Sequence, residues 1–240
     1  MDRHLSLVQS DFEALEKRVL PRFPFCYLLF KNSKTDSQVF EVKDISHSGM
    51  QLSLKNGDFD YKNNDKINGE IHWHGRSIGV SGEIVWIKQN RIGVEFSTKA
   101  SQREDVDQFL KVDNFASVLK PLHKSEFGLE LPAKLKYWLR SDGPAEVFVW
   151  RHNDGELSKF QILIMENFIE WEDTKGLKTG RVISKRDIDT PLISEDEYVF
   201  KLDPVIDDKK IEHCHELVNN LDENLLPAET LSFIKMKLGQ

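Results

Sequence analysis

Long apolar runs are missing from this 240-residue chain. No stretch approaches the roughly 20 apolar residues of a membrane helix, which speaks against membrane insertion. The first residues, MDRHLSLVQSDFEALEK, lack the apolar run and the small-residue cleavage site of a secretory signal, so the sequence reads as cytoplasmic. Cysteine is scarce. Cys26 and Cys214 lie far apart and fit no ligand spacing. A disulfide is open to them, but two buried, reduced thiols suit the expected compartment better. Several catalytic motifs are also missing: G-x-x-x-x-G-K-[ST], G-x-S-x-G and H-E-x-x-H. Nothing looks like the motifs of a cyclic-nucleotide synthase or phosphodiesterase. With no nucleophile, base or metal constellation on view, no enzyme is expected.

A basic excess is lacking too. Net charge is −7, and 39% of residues are hydrophobic, enough for one sizeable core or two smaller ones. Residues 1–112 hold 16 acidic and 16 basic side chains, so the whole acidic excess lies in 113–240. An acidic second half repels phosphate backbones, and a neutral first half lacks the bias of a DNA module, so no nucleic-acid partner is expected.

What is present is a long series of strand patterns between helical ones. Ser10 and Glu13 have capping-box spacing, and Phe12, Leu15 and Val19 share one helical face. This predicts a short helix at about 11–18, stopped by Pro21 and Pro24. From Phe25 the pattern turns extended. PFCYLLFK is β-rich. SQVFEVKDIS alternates, with Val39, Glu41 and Lys43 on one face and Phe40, Val42 and Asp44 on the other. GMQLSL, NNDKINGEIHWHG, RSIGVSGEIVWIKQN and RIGVEFS read as further strands joined by Gly and Asn turns. Six or so short strands within about 75 residues predict a closed or nearly closed antiparallel barrel. Ser101 and Glu104 form a second capping-box pair, and Val106, Phe109, Leu110 and Phe115 predict one amphipathic helix ending before Pro121.

Beyond Lys120, AKLKYWLRS, AEVFVWRHN, KFQILIMENFIEWED, GLKTGRVIS and YVFKLD look like strands, with DGP, NDGE and TKG as turns. After Asp207 the period becomes helical. Ile211, Cys214, Val218 and Leu221 form one stripe, and Leu231, Ile234 and Leu238 another between Pro227 and Gly239. The expected fold is mainly β with flanking helices: an N-terminal helix or arm over 1–17, a six-stranded antiparallel β-barrel with its C-terminal helix over 18–118, and an α+β domain over 119–240.

Two segments stand out chemically. EKRVLPRFP (16–24) places Arg18 and Arg22 four apart across a proline-marked break. DISHSGM (44–50) offers Asp44, Ser46 and Gly49, the residue types of a tight polar turn. Taken alone, each has a plain structural explanation, a basic patch at a helix end and a hairpin turn. In order they spell R-x-x-x-R, about two dozen residues, then D-x-S-x-x-G, at the entrance of a small barrel. This arrangement resembles the PilZ family. EKRVLPRFPF, VKDISHSGMQL and VSGEIVWIKQNRIGVEF all look like segments of that family, and the resemblance covers about residues 14–112.

PilZ domains are bacterial receptors for cyclic di-GMP, so the resemblance implies that ligand. A guanidinium pairs bidentately with phosphate or with guanine O6 and N7, and stacks on bases, which suits a ligand with two phosphates and two guanines. Carried onto this sequence, the resemblance implies that Arg18 and Arg22 hold phosphate and guanine. Asp44 would accept from the guanine Watson–Crick edge, Ser46 would bond a base or phosphate, and Gly49 would allow close backbone approach. In similar domains a basic residue before the first arginine goes with a stacked ligand dimer, so at Lys17 the resemblance implies a dimer. No cofactor beyond this ligand is implied. A protein partner acting through residues 119–240 is expected. Two alternatives stay open, a PilZ-like module that binds no nucleotide and an enzyme regulated by the barrel.

Other groupings carry less. His72 and His74 fall on one face of a strand, but no carboxylate or cysteine nearby in sequence completes a metal site. His213, Cys214 and His215 are consecutive and point to different helix faces. The acidic clusters at 170–173 and 194–197 lack calcium-loop spacing and read as solvated turns. Trp138, Trp150 and Trp171 fall in apolar strand patterns and are expected in the core.

Overall fold

A computed structural model describes residues 28–34, 38–54, 60–124, 134–182 and 200–239. The predicted helix at 11–18, Lys17, Arg18, Arg22 and Cys26 lie outside the described residues. The chain divides into two compact units at the step from Lys111 to Val112.

The first unit is a closed six-stranded barrel. Its strands are β1 (Leu29–Asn32), β2 (Val39–Ser46), β3 (Gly49–Ser53), β4 (Lys66–Trp73), β5 (Arg76–Lys88) and β6 (Arg91–Phe96). The order around the barrel is β1-β2-β3-β6-β5-β4, with every pairing antiparallel. Closure leaves no sheet edge to protect. Alternation along the strands delivers Phe30, Phe40, Val42, Ile45, Leu52, Ile71, Ile84 and Ile92 to full burial. Each such side chain stabilises the fold by about 1.5–3 kcal/mol.

Helix α1 (Ala100–Phe109) packs on this barrel. Trp73 is buried and meets Phe109 edge-on, ring centroids 6.1 Å apart. The expected cap at Ser101 is not used. Lys99 holds the N-cap position without a side-chain bond, and Ser101 lies inside the helix. Buried Gln102 instead clips the helix to β5. Its Oε1 accepts from the Ser81 amide at 3.0 Å and the Ser81 hydroxyl at 2.7 Å, and its Nε2 donates to the Ser81 carbonyl at 2.8 Å. The single helix expected up to Pro121 is two. It breaks after Phe109, and α2 (Val112–Ala116) belongs to the second unit.

The second unit is an antiparallel seven-stranded meander. β7 (Lys120–Pro121), β8 (Leu135–Arg140), β9 (Ala145–Arg151), β10 (Leu157–Ile164), β11 (Asn167–Glu172), β12 (Gly176–Val182) and β13 (Phe200–Leu202) lie side by side in chain order. KFQILIMENFIEWED contains a reversal that its composition hides. Ile164 pairs with Asn167, and Met165 turns the chain with φ of 60°. Helices α3 (Asp208–Asn219) and α4 (Ala228–Leu238) follow, matching the two predicted stripes. Ile211, Cys214 and Val218 of α3 are buried, as are Leu231, Ile234 and Leu238 of α4. Asp207 caps α3, accepting from the Lys209 amide at 3.0 Å. Trp171 stacks on Phe160 and meets Phe233 of α4 edge-on at 5.0 Å. In register, Phe148, Trp150, Leu163 and Phe168 occupy the opposite sheet face and form a second apolar cluster with Leu135 and Trp138. There the Arg140–Glu146 pair is buried at 3.3 Å. Among the described residues, no helix is long and apolar enough to cross a membrane.

Candidate functional site

The D-x-S-x-x-G segment sits where β2 turns into β3. Strict alternation would put Asp44 beside Phe40 and Val42, facing inward. The structure does otherwise. Val42 pairs with Leu52 while Asp44 pairs with the adjacent Gln51, so β2 holds one extra residue, a β-bulge. The bulge turns Asp44 to the outer face while Ile45 resumes the inner one, the kind of re-aiming for which bulges are used. A second bulge lies in β5. Ile84 pairs with Val94 and Trp86 with Gly93, so Trp86 also leaves the inner face. The two bulges complete a row across four strands, in which Asp44 faces Gln51, Gln51 faces Gly93, and Gly93 faces Trp86.

Glycine is required in this row for a steric reason. A Cβ on Gly93 would meet the Trp86 indole nitrogen at 2.0 Å, so the ring lies against bare backbone. Gly49 is constrained in the same way. A Cβ there would meet the Val94 carbonyl oxygen at 2.3 Å. What approaches Gly49 is the backbone of β6.

The turn itself is held by serine. Ser46 Oγ lies 3.3 Å from the Gly49 carbonyl, to which it donates, and it accepts from the Ser48 amide at 3.3 Å. His47 Nδ1 lies 2.6 Å from Asp107 Oδ1 on α1, tying the turn to the helix. Four polar side chains of this outer face are buried: Asp44 at 8% exposure, Ser46 at 5%, Gln51 at 7% and Ser53 at 4%. Polar groups are seldom sequestered without a use, because unpaired burial costs roughly 1–3 kcal/mol each.

The Gln51 amide, assigned so that both its ends find partners, donates to Asp44 Oδ2 at 3.3 Å and accepts from Arg91 Nη1 at 3.2 Å. Residues 16–111 match the family model of the PilZ domain. The chain carries a PilZ domain. Domains of this family are generally cyclic di-GMP-binding modules and typically non-enzymatic receptors. No curated protein matches the chain.

Of the residues singled out from the PilZ resemblance, Asp44, Ser46 and Gly49 come together at one turn, while Lys17, Arg18 and Arg22 lie outside the described residues. Three further residues, Gln51 and Trp86 of the row and Arg91 two positions along it on β6, carried no sequence signal, because bulges and cross-strand neighbours are invisible in a one-dimensional pattern. The histidine pair is not a strand-face pair. His72 is the penultimate residue of β4, 3.3 Å from Glu70, and His74 sits in the following turn with φ of 48°. Among the described residues no three His, Cys, Asp or Glu side chains cluster as a metal site would need.

Proposed function

We propose that this protein is a cyclic di-GMP receptor whose ligand sits on the outer face of β2, β3 and β6 of the PilZ domain. The observation that carries the reading is the buried polar row headed by Asp44, presented by a bulge beside the serine-held turn. Arg18 and Arg22 would supply the cationic half. Two guanidinium groups on a short arm can reach both phosphates and a guanine of one ligand. Asp44 would accept from guanine N1–H and N2–H, and Ser46 would bond a base or phosphate. Gly49 would keep the turn close enough for the ligand to meet backbone. Trp86, in the same row, is the residue type on which a purine stacks. Lys17 favours a stacked ligand dimer.

The output is a changed surface. Ligand would clamp the arginine arm onto the barrel and reorient residues 119–240, which then engage a protein partner in the cytoplasm. That step requires the ligand to bind the two arrangements with different affinity.

Titration calorimetry tests the site. Arg22→Ala and Asp44→Ala are each expected to abolish measurable binding, since each removes charge-assisted bonds at the centre of a multivalent contact. Unchanged affinity in both variants would sink the assignment.

A further inference from the structure

Asp44 is useful to a guanine only if its carboxylate is ionised and aimed. An ionised carboxylate is acceptor-only, matching the two adjacent donors of the guanine Watson–Crick edge. The geometry around Gln51 bears on both conditions. An amide can present either its oxygen or its nitrogen to a neighbour, and the two choices have opposite consequences for a carboxylate. Arg91 settles the choice, because a guanidinium can only donate. With Arg91 Nη1 3.2 Å from the amide oxygen, the amide nitrogen must face Asp44 Oδ2, where it stands at 3.3 Å.

Gln51 is buried while Arg91 is exposed, so the pair runs from the protected carboxylate to the rim. The three residues come from three adjacent strands. Gln51 lies opposite Asp44, and Arg91 lies opposite Ser53, two residues along β3 on the same face as Gln51. The relay is therefore fixed by the barrel's register and does not depend on a loop.

We infer that Gln51 and Arg91 are positioning residues for guanine recognition, Arg91 orienting the Gln51 amide and Gln51 orienting the Asp44 carboxylate, and that together they set the preference for a base carrying a 2-amino group. This rests on the ligand reading above. A bound guanine offers N1–H and N2–H to Asp44, whereas hypoxanthine offers N1–H alone. A carboxylate held in one orientation distinguishes them, and a carboxylate free to rotate does so less well.

The test compares cyclic di-GMP with its inosine counterpart by calorimetry on the full chain. Wild type should prefer the guanine ligand by about tenfold or more, the range for a good bidentate base contact. Gln51→Leu and Arg91→Ala should each weaken cyclic di-GMP by about tenfold while weakening the inosine ligand less, so the preference shrinks. Arg91→Lys keeps a donor and should retain most of the preference. Arg91 is exposed, so its variants are expected to fold, and melting temperatures check both positions. Equal loss toward both ligands would assign Gln51 and Arg91 a purely structural part and overturn the inference. So would folded variants with wild-type affinity and preference. Wild-type protein binding neither dinucleotide would overturn the ligand reading and this inference together, whereas wild-type binding with an unmoved preference in the variants overturns only the inference.

Discussion

Gly49 shows at the scale of one residue why a motif glycine need not be about backbone freedom. No positive φ is recorded there, and the constraint is the Val94 carbonyl that a Cβ would meet at 2.3 Å. Backbone cannot rotate away as a flexible side chain can. Gly49→Ala is therefore expected to destabilise the barrel by about 1–3 kcal/mol, as overpacking does. Denaturant unfolding without ligand checks this, and an unchanged midpoint would contradict it. Cys214 offers a second test at this scale. Its thiol is fully buried on α3, and burial pushes its pKa up, far above the ordinary thiol range. Native protein should resist alkylation at Cys214, as peptide mass spectrometry would show. The folded thiol stays protonated where the unfolded one ionises, so its contribution to stability is whole below about pH 8.5. Above that, stability should fall by about 1.4 kcal/mol per pH unit. Cys214→Val should flatten that part of the pH profile.

Among the elements, α1 and the β10–β11 hairpin are the informative ones. Helix α1 reads from sequence as capped by Ser101, yet no cap bond forms, and Gln102 makes three bonds to Ser81 instead. Losing that clip should weaken the docking of the helix. Gln102→Ala is expected to cost about 1–3 kcal/mol by leaving the Ser81 groups without their partner. Hydrogen exchange should localise the loss to α1 and its contact strand. The hairpin went unseen because Met165 and Glu166 are not turn-forming residue types, although Met165 adopts φ of 60° there. A positive φ at the first position of a two-residue loop suits glycine. Met165→Gly should relieve that conformation and leave stability equal or up to about 1 kcal/mol higher. A clear loss by thermal melting would show that Met165 packing outweighs backbone strain.

For the whole molecule, the question is what ligand does to the placement of residues 112–240. Reorientation on binding is expected to change the small-angle scattering profile of the full chain when cyclic di-GMP is added. Superimposable profiles at saturating ligand would remove the clamp mechanism while leaving the binding site intact. A pull-down with and without ligand then asks whether the second unit engages a protein.

The strand series, the barrel, the two C-terminal helices and the PilZ motif pair were all legible in the sequence. Each rests on local periodicity or on fixed residue spacing, which a chain carries before it folds. Phe40 and Val42 face the core as their alternation says. Asp44 does not follow it, because one extra residue in β2 against β3 moves it to the other face, and Trp86 moves likewise in β5. A bulge is a property of two paired strands, so no single segment announces it. The same holds for Gln51 and Arg91, which join Asp44 only through the β2-β3-β6 order. The sequence determined that Asp44, Ser46 and Gly49 stand at one polar turn. The tertiary structure decided which way they point, since direction on a sheet depends on pairing with a partner strand.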